Sequence, residues 1–148
     1  MRVVIRPVTD RDWEGWKVLW DGYLHFYREH LDEATSRFTF ERLSRCEDGM
    51  FGFVAEEGEE LKGLVNALLH PSTWTTSCYC YLEELFVERS SRGSHIAREL
   101  IEAVSTEATT KGADHVYWHT QQFNGPARSL YDTVGQLTSF VVYEHLTG

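Results

Sequence analysis

The 148-residue sequence predicts an α/β fold, with a mixed central sheet of about six to seven strands flanked by about four helices. Residues 79–87 are rich in aromatic and branched side chains, as in a buried strand, and helical spacing begins at Ile96 after a short loop. Residues 113–120 indicate the next strand, so a parallel pair with a right-handed crossover is expected. A hairpin earlier in the chain adds antiparallel strands and makes the sheet mixed.

The amino-terminal region predicts a strand followed by a long helix. Residues 2–6 form the expected strand, ended by Pro7, and Thr9 or Asp10 is the expected cap of a helix that reaches about Glu29. Large side chains recur at helical spacing along that helix. They are Trp13, Trp16, Trp20, Tyr23, Leu24 and Tyr27. A face of this kind is expected to pack against the sheet.

The other elements follow from turn and cap residues. Residues 38–45 predict a short second helix, and residues 49–56 and 61–70 predict two strands of a hairpin. Gly112 is the expected end of the central helix, while Pro126 is expected to start a short helix that stops at Gly135. The last predicted strand covers residues 140–145. Because no repeat or linker interrupts the chain, one domain over residues 1–148 is expected.

Composition and charge limit the partners and the location. The formal net charge of −9 and the absence of a dense basic cluster argue against nucleic acid. With no apolar run near ~20 residues and no signal-peptide core, a soluble cytoplasmic protein that does not bind membranes is expected. Cys46, Cys78 and Cys80 are expected to be reduced. His115 and His119 would lie ~13 Å apart on a strand, so no metal site is predicted.

The loop at residues 88–94 delivers a basic, glycine-containing turn to the start of the central helix. Unpaired backbone N–H groups and the positive end of the helix dipole favour an anion such as phosphate at that position. Gly93 permits a positive φ, and Arg92 can add a bidentate contact. An ordinary turn with solvated arginines is the alternative on composition alone.

Two segments carry a family resemblance. YLEELFVERSSRGSHIARELIEA resembles the acetyl-CoA-binding segment of the GNAT superfamily, a strand followed by Arg/Gln-x-x-Gly-x-Gly/Ala and a helix. Arg92, His95 and Ala97 occupy the patterned positions, with histidine in place of the central glycine. NGPARSLYDTVG is similar to the family segment Asn-x-x-Ala-x-x-Leu-Tyr-x-x-x-Gly. Its matching residues are Asn124, Ala127, Leu130, Tyr131 and Gly135.

The resemblance implies the GNAT fold and an enzyme that moves an acetyl group from acetyl-CoA to a primary amine by direct transfer in a ternary complex. It looks most like enzymes that acetylate polyamines and their fungal relatives that act on histones or D-amino acids. A pocket for the small amine walled by Tyr23, Phe26 and Tyr27 is also implied, as is a possible homodimer formed through the last strand. The implied cofactor-binding residues are Leu85, Phe86, Val87, Arg92, Gly93, Ser94, His95, Ile96, Ala97, Arg98, Asn124, Ala127 and Arg128.

The chemistry requires a base and an acid. An alkylamine, with a pKa near ~10.4 like that of lysine, must lose a proton before it attacks a thioester. Glu83 and Glu84 are adjacent on a strand and are therefore expected to point to opposite faces. The resemblance favours Glu83 as the base, with Glu84 as the alternative or as a ligand of the cationic substrate. Tyr131 is the implied acid for the leaving thiolate, and a backbone N–H near residues 85–87 is expected to polarise the thioester.

A second hypothesis belongs to a different class of protein. A module of the same fold could bind an acyl-CoA or an amine without turnover, and the histidine at position 95 favours that interpretation. Retention of Tyr131 and of both glutamates favours the enzyme.

Overall fold

The computed structural model describes residues 2–148 and contains a five-stranded mixed sheet with four α-helices. The strands lie in the order β1-β2-β3-β4-β5; the pairs β1–β2, β2–β3 and β3–β4 are antiparallel, and the pair β4–β5 is parallel. The strands are β1 (Val3–Pro7), β2 (Met50–Glu57), β3 (Glu60–His70), β4 (Cys78–Val87) and β5 (Ala113–Tyr117). The helices are α1 (Trp13–Phe26), α2 (Glu33–Arg45), α3 (Ile96–Thr110) and α4 (Gly125–Val134). The predicted fold class is confirmed.

Helices cover both faces of the sheet. The cluster of α1 and α2 residues includes Trp16 and Phe40 and packs on Leu64 of β3. On the other face, Leu100 of α3 packs in a cluster with Val65, the next residue of β3. Because successive strand residues point to opposite faces, Leu64 lies in one half of the core and Val65 lies in the other.

The aromatic face of α1 is buried, as its spacing predicts. Trp16 and Trp20 are 0% and 4% exposed and stack with ring centroids 5.1 Å apart. The helix starts later than predicted, because Asp10–Asp12 form a short 3-10 turn, and it ends at Phe26 rather than near Glu29. Arg28 has a left-handed backbone (φ 57°), which stops the helix there.

Other boundaries differ from the sequence predictions. Helix α2 begins at Glu33, five residues before its predicted start, because Asp32 Oδ1 accepts a hydrogen bond from Thr35 N–H at 2.7 Å and caps the first turn. Strand β5 ends at Tyr117 instead of residue 120. None of the helices within residues 2–148 is long and apolar enough to cross a membrane.

The prediction of a last strand at residues 140–145 is wrong. This segment has no regular secondary structure, and the predicted six to seven strands are therefore five. Phe140, Val141, Val142 and Tyr143 are all at least 69% exposed. An apolar composition indicates strand propensity, but a strand also requires a neighbour for its backbone hydrogen bonds. Within residues 2–148, this segment has no such neighbour.

Candidate active site

Strands β4 and β5 separate at the centre of the site. They pair from Cys78 with Ala113 to Tyr81 with Tyr117, and no pair follows within residues 2–148. Strand β4 nevertheless continues to Val87. Residues 82–87 therefore border a gap on their β5 side, while β3 pairs with their other side.

Two backbone N–H groups of β4 face this gap. Glu88 N–H donates to Lys62 O on the β3 side at 2.8 Å, whereas Val87 O, on the other side, accepts from Arg92 Nε at 3.0 Å. Because consecutive residues of an antiparallel strand direct their backbone groups to alternate sides, the N–H groups of Leu85 and Val87 point into the gap and that of Phe86 points to β3. Leu85 and Val87 thus present two donors to the gap, an arrangement that can stabilise an oxyanion.

The loop before α3 leaves backbone donors free. Gly93 has the predicted positive φ, +87°, and a Cβ built on it would meet nothing within 4 Å. His95 precedes α3, is exposed, and gives no side-chain cap. The N–H groups of Ile96, Ala97 and Arg98 consequently have no helical acceptor. The backbone of His95 (φ −84°, ψ 10°) is one that any residue adopts, so histidine requires no rearrangement of this turn.

Arg92 is held toward α1 rather than over the start of α3. Its guanidinium carbon lies 5.4 Å from the ring centre of Phe86 and 5.7 Å from that of Phe26, in addition to the Nε contact with Val87 O. These contacts place a cation between β4 and the end of α1. At the start of α3, the backbone amides are therefore more available to an anion than this side chain is.

Helix α4 is joined to α3 and to the loop before it by hydrogen bonds. Asn124 Oδ1 accepts from Ala127 N–H at 3.4 Å and caps the helix. Arg98 Nη2 donates to Thr133 Oγ1 at 2.8 Å and ties α3 to α4. Arg128 Nη1 donates to the carbonyl of Gln122 at 2.8 Å and holds the preceding loop. Both guanidinium groups thus have hydrogen-bond partners within the protein.

Tyr131 of α4 is partly buried against Trp118, with ring centroids 5.6 Å apart. Burial, and secondarily the neighbouring Tyr27, raises the pKa of the Tyr131 phenol above its ordinary value. Gly135 allows Trp118 to approach, because a Cβ at that position would lie 2.9 Å from the indole. Tyr131 is therefore a protonated hydroxyl at physiological pH, as a proton donor must be.

The end of α1 forms an aromatic wall beside β4. Tyr23 lies 4.9 Å from Tyr27 and 6.5 Å from Phe86, ring centre to ring centre, and Phe26 lies 5.1 Å from Tyr27. Gly22 permits this close approach, since a Cβ there would be 2.9 Å from Cζ of Phe86. The structure thus brings the three predicted pocket residues together next to β4.

A bulge changes the orientation of the two glutamates. Asn66 of β3 pairs with Glu84 while the next β3 residue, Ala67, pairs with Leu82, which leaves Glu83 as the extra residue. The expectation that the two side chains point to opposite faces assumes unbroken alternation, which the bulge interrupts at Glu83. Both carboxylates raise the pKa values of the same two phenols, those of Tyr23 and Tyr81.

Glu84 is the better placed of the two to act as a base. Burial and then the charge of Glu83 raise the pKa of Glu84 to about 8, while a hydrogen bond from Asn66 Nδ2 at 3.1 Å to Oε1 lowers it. Glu83 is exposed to solvent. A base with a pKa near the working pH combines the correct protonation state with sufficient basicity.

Sequence reasoning missed Asn66. It is 3% exposed, lies opposite Glu84 in the sheet, and its Oδ1 has no hydrogen-bond partner among residues 2–148. The signal was a single amide in the apolar run LKGLVNALLH of β3.

As for metals, the part of the chain that the structure describes holds no cluster of three or more His, Cys, Asp or Glu suited to bind an ion.

Comparison with known proteins gives the same assignment for the fold and the family. The sequence profile described as "Acetyltransferase (GNAT) family" matches residues 13–135. A D-amino-acid N-acetyltransferase of Saccharomyces cerevisiae is 30% identical over 146 residues, which are 97% of this chain and 90% of the relative. A thialysine N-epsilon-acetyltransferase of Caenorhabditis elegans is 34% identical over 83 residues, which are 56% of this chain and 51% of that relative.

Solved structures share the fold. The structure of AAC(6')-Iy in complex with the bisubstrate analogue CoA-S-monomethyl-acetylneamine has a TM-score of 0.85 at 22% identity and covers 100% of both chains. A ribosomal-protein-alanine N-acetyltransferase from Brucella melitensis biovar Abortus 2308 has a TM-score of 0.82 at 18% identity, covering 99% of this chain and 100% of that one. At these identities the likeness concerns the fold alone.

Proposed function

Since the chain belongs to the GNAT family of acetyltransferases, we propose that it transfers the acetyl group of acetyl-CoA directly to a primary amine in a ternary complex. The observation that carries this proposal is the separation of β5 from β4 after Tyr81, which leaves residues 82–87 of β4 without a partner on that side within residues 2–148. Two side chains would supply the acid–base chemistry: Glu84 of this stretch, whose pKa is raised to about 8, and Tyr131, a protonated phenol packed on Trp118. One can take a proton from an ammonium group and the other can give a proton to a thiolate.

The surfaces around the gap match the parts of acetyl-CoA, the acyl donor of the family. The amides of Ile96, Ala97 and Arg98 would bind the diphosphate at the start of α3. Asn124, at the start of α4, would contact the pantetheine arm. The N–H groups of Leu85 and Val87 would meet the thioester oxygen. The contribution of acetyl-CoA is an activated acyl carbon with a thiolate leaving group.

The reaction follows from the placement of these groups. Ionised Glu84 accepts a proton from the substrate ammonium, and the neutral amine attacks the thioester carbon. The N–H groups of Leu85 and Val87 donate to the oxyanion that forms. When the intermediate collapses, the carbon–sulfur bond breaks, the thiolate takes the proton of Tyr131, and the phenolate recovers a proton from the new amide nitrogen. The proton on Glu84 passes to solvent.

The acceptor class proposed here is a primary amine on a polyamine, an amino acid or a lysine-like side chain. The aromatic wall of Tyr23, Phe26 and Tyr27 would hold the carbon skeleton, and the carboxylates of Glu83 and Glu84 would attract the ammonium group. The names of the two relatives, which refer to D-amino acids and thialysine, lie within this class.

The test is release of free thiol from acetyl-CoA across a panel of amines, with the acetylated product identified by mass spectrometry. We expect thiol release with at least one amine. We also expect a large loss of kcat in the Tyr131→Phe variant. Phe38→Leu serves as a control, because Phe38 is exposed on α2. Measurable binding of coenzyme A without thiol release for any amine would favour the alternative of a binding module without turnover.

The proposal also concerns domain organisation and location. We expect residues 1–148 to form one catalytic domain that works in the cytoplasm. It is expected to act on small amines and to bind neither nucleic acid nor membranes. A homodimer is also part of the proposal. Strand β5 is at the edge of the sheet, and the segment after α4 exposes several large apolar side chains, which a second copy would cover. These side chains are Leu137, Phe140, Val141, Val142, Tyr143 and Leu146. In sedimentation experiments, we expect the wild-type protein to be a dimer and the Val141→Asp variant to be a monomer.

A further inference from the structure

Six aromatic side chains line the sheet beside the candidate active site. Tyr79 and Tyr81 of β4 alternate with Cys80 and Leu82, which pack in the cluster under α3. The two tyrosines therefore face the side of the sheet that carries α1. Side chains from β3, β5 and the residues after β5 join them. We name as the Tyr–His strip the set His70, Tyr79, Tyr81, His115, Tyr117 and His119.

The rings of the strip are fixed against one another. Tyr81 and Tyr117 stack with ring centroids 4.9 Å apart and planes 25° from parallel. His70 Nε2 lies 2.7 Å from the Tyr117 hydroxyl, and the Tyr81 hydroxyl lies 3.3 Å from His119 Nδ1. The rings are nevertheless only partly covered, and those of His115 and His119 are exposed. The result is a rigid aromatic surface open to solvent.

The strip is continuous with the acceptor end of the site. Tyr81 is two residues before Glu83 on β4, and the charges of Glu83 and Glu84 both raise the pKa of Tyr81. Glu83 also raises the pKa of Tyr117. The exposed carboxylate of Glu83 thus lies within electrostatic reach of the two stacked rings. Negative charge and aromatic faces together suit a cation and disfavour an anion.

We propose that the Tyr–His strip is a second subsite of the acceptor, which holds a distal cationic group while the reacting amine lies at Glu84. The inference rests on the proposed amine acetylation and narrows its substrate class to linear acceptors with a second positive charge. From Glu84 to Tyr81, the strip residue that stacks on Tyr117, the strand extends over ~10 Å, so the acceptor is long as well as dicationic.

Kinetics with four acceptors separate chain length from charge: propylamine, octylamine and the α,ω-diamines with three and eight carbons. The eight-carbon diamine is expected to have the highest kcat/KM, about fivefold above octylamine, through contact of its free ammonium with ring faces. Tyr117→Leu is expected to reduce this preference about threefold. Tyr117→Phe, which keeps the ring and removes the hydroxyl, is expected to retain it, and Phe38→Leu is the exposed aromatic control.

Each contrary outcome has a distinct meaning. If octylamine were used as well as the eight-carbon diamine or better, the subsite would be overturned and the surface would be an apolar groove. If the preference for the diamine survived Tyr117→Leu, the subsite would also be overturned, because the ring of Tyr117 would not be its cause. A shift of oligomeric state in Tyr117→Leu, with the preference unchanged, would show that the strip is instead an interface between copies of the chain. Turnover of propylamine without any preference would overturn the subsite alone. Absence of turnover with every amine would overturn the proposed function and the subsite with it.

Discussion

Replacing Glu84 by glutamine is expected to abolish most of the activity and to stabilise the folded protein at high pH. The folded structure raises the pKa of this carboxyl from an ordinary 4.5 to about 8. Between those values the folded state binds a proton that the unfolded state has lost, so the free energy of unfolding decreases as pH rises through this range. Above pH 8 the wild-type protein carries the full cost of an ionised, partly buried Glu84.

The size of this cost follows from the displacement of the pKa. About 3.5 pH units at 1.36 kcal/mol each give an upper limit of roughly 5 kcal/mol. Water around a partly exposed group reduces the limit to about 2 kcal/mol, or ~4–8 °C in Tm for a chain of this length. Removal of the proposed base is expected to lower kcat/KM by about 10²–10⁴.

Thermal unfolding at pH 5 and pH 9, together with thiol-release kinetics, measures both effects on one variant. Glu84→Gln is expected to match the wild-type Tm near pH 5 and to exceed it at pH 9, with little turnover at either pH. Glu102→Gln, on an exposed position of α3, is the control for removal of a surface carboxylate. A Glu84→Gln protein that is fully active, or that is less stable than wild type at pH 9, would refute the reasoning.

Three further predictions concern neighbours of the same site. In Glu83→Gln, the pH at which kcat/KM rises is expected to decrease, because the variant lacks a charge that raises the pKa of Glu84. In Asn66→Ala, this pH is expected to increase, because the variant lacks a hydrogen bond that lowers the same pKa. Shifts in the same direction for both variants would contradict these causes. Tyr131→Phe is expected to lower kcat by about 10²-fold or more with a smaller change in the KM for acetyl-CoA, measured by initial rates; unchanged kcat would remove the assigned acid. Gly22→Ala is expected to destabilise the chain by about 1–3 kcal/mol and to raise the KM for the amine, because its Cβ would meet the Phe86 ring; Gly15→Ala, which meets only the flexible Leu61 side chain, is the matched control in the same helix.

The strand, loop and helix around residues 79–110 could be predicted from sequence because each has a clear local signal. A change from strand-like composition to helical spacing marks the start of α3, and Gly93 marks the left-handed turn. The aromatic spacing of α1 likewise predicts its buried face. Such signals depend on near neighbours in the chain, so they need no knowledge of the sheet.

Features that depend on pairing between distant strands could not be predicted. The bulge at Glu83 arises from the register of β4 against β3, and no residue of β4 alone indicates it. The raised pKa of Glu84 depends on its burial in the sheet and on the neighbouring charge of Glu83, while the hydrogen bond from Asn66, its partner across the sheet, lowers it. The Tyr–His strip likewise requires the order β3-β4-β5, which brings His70 and Tyr117 to either side of β4.

For the segment after α4, the sequence predicts a strand that the structure does not contain. Residues 140–145 combine branched and aromatic side chains, which predicts a strand, yet they lie exposed without a backbone partner among residues 2–148. Composition reports the propensity of a segment and not the availability of a neighbouring edge. A second copy of the chain is the neighbour that the proposed dimer would supply.

Amide chemical shifts of the ¹⁵N-labelled protein, followed by NMR during addition of coenzyme A, test the central claim most directly. If backbone amides at the start of α3 and in the β4–β5 gap hold the acyl donor, the largest changes will occur at Ser94–Arg98 and at Leu85 and Val87. Saturable binding that leaves these amides unmoved and perturbs others would contradict the account.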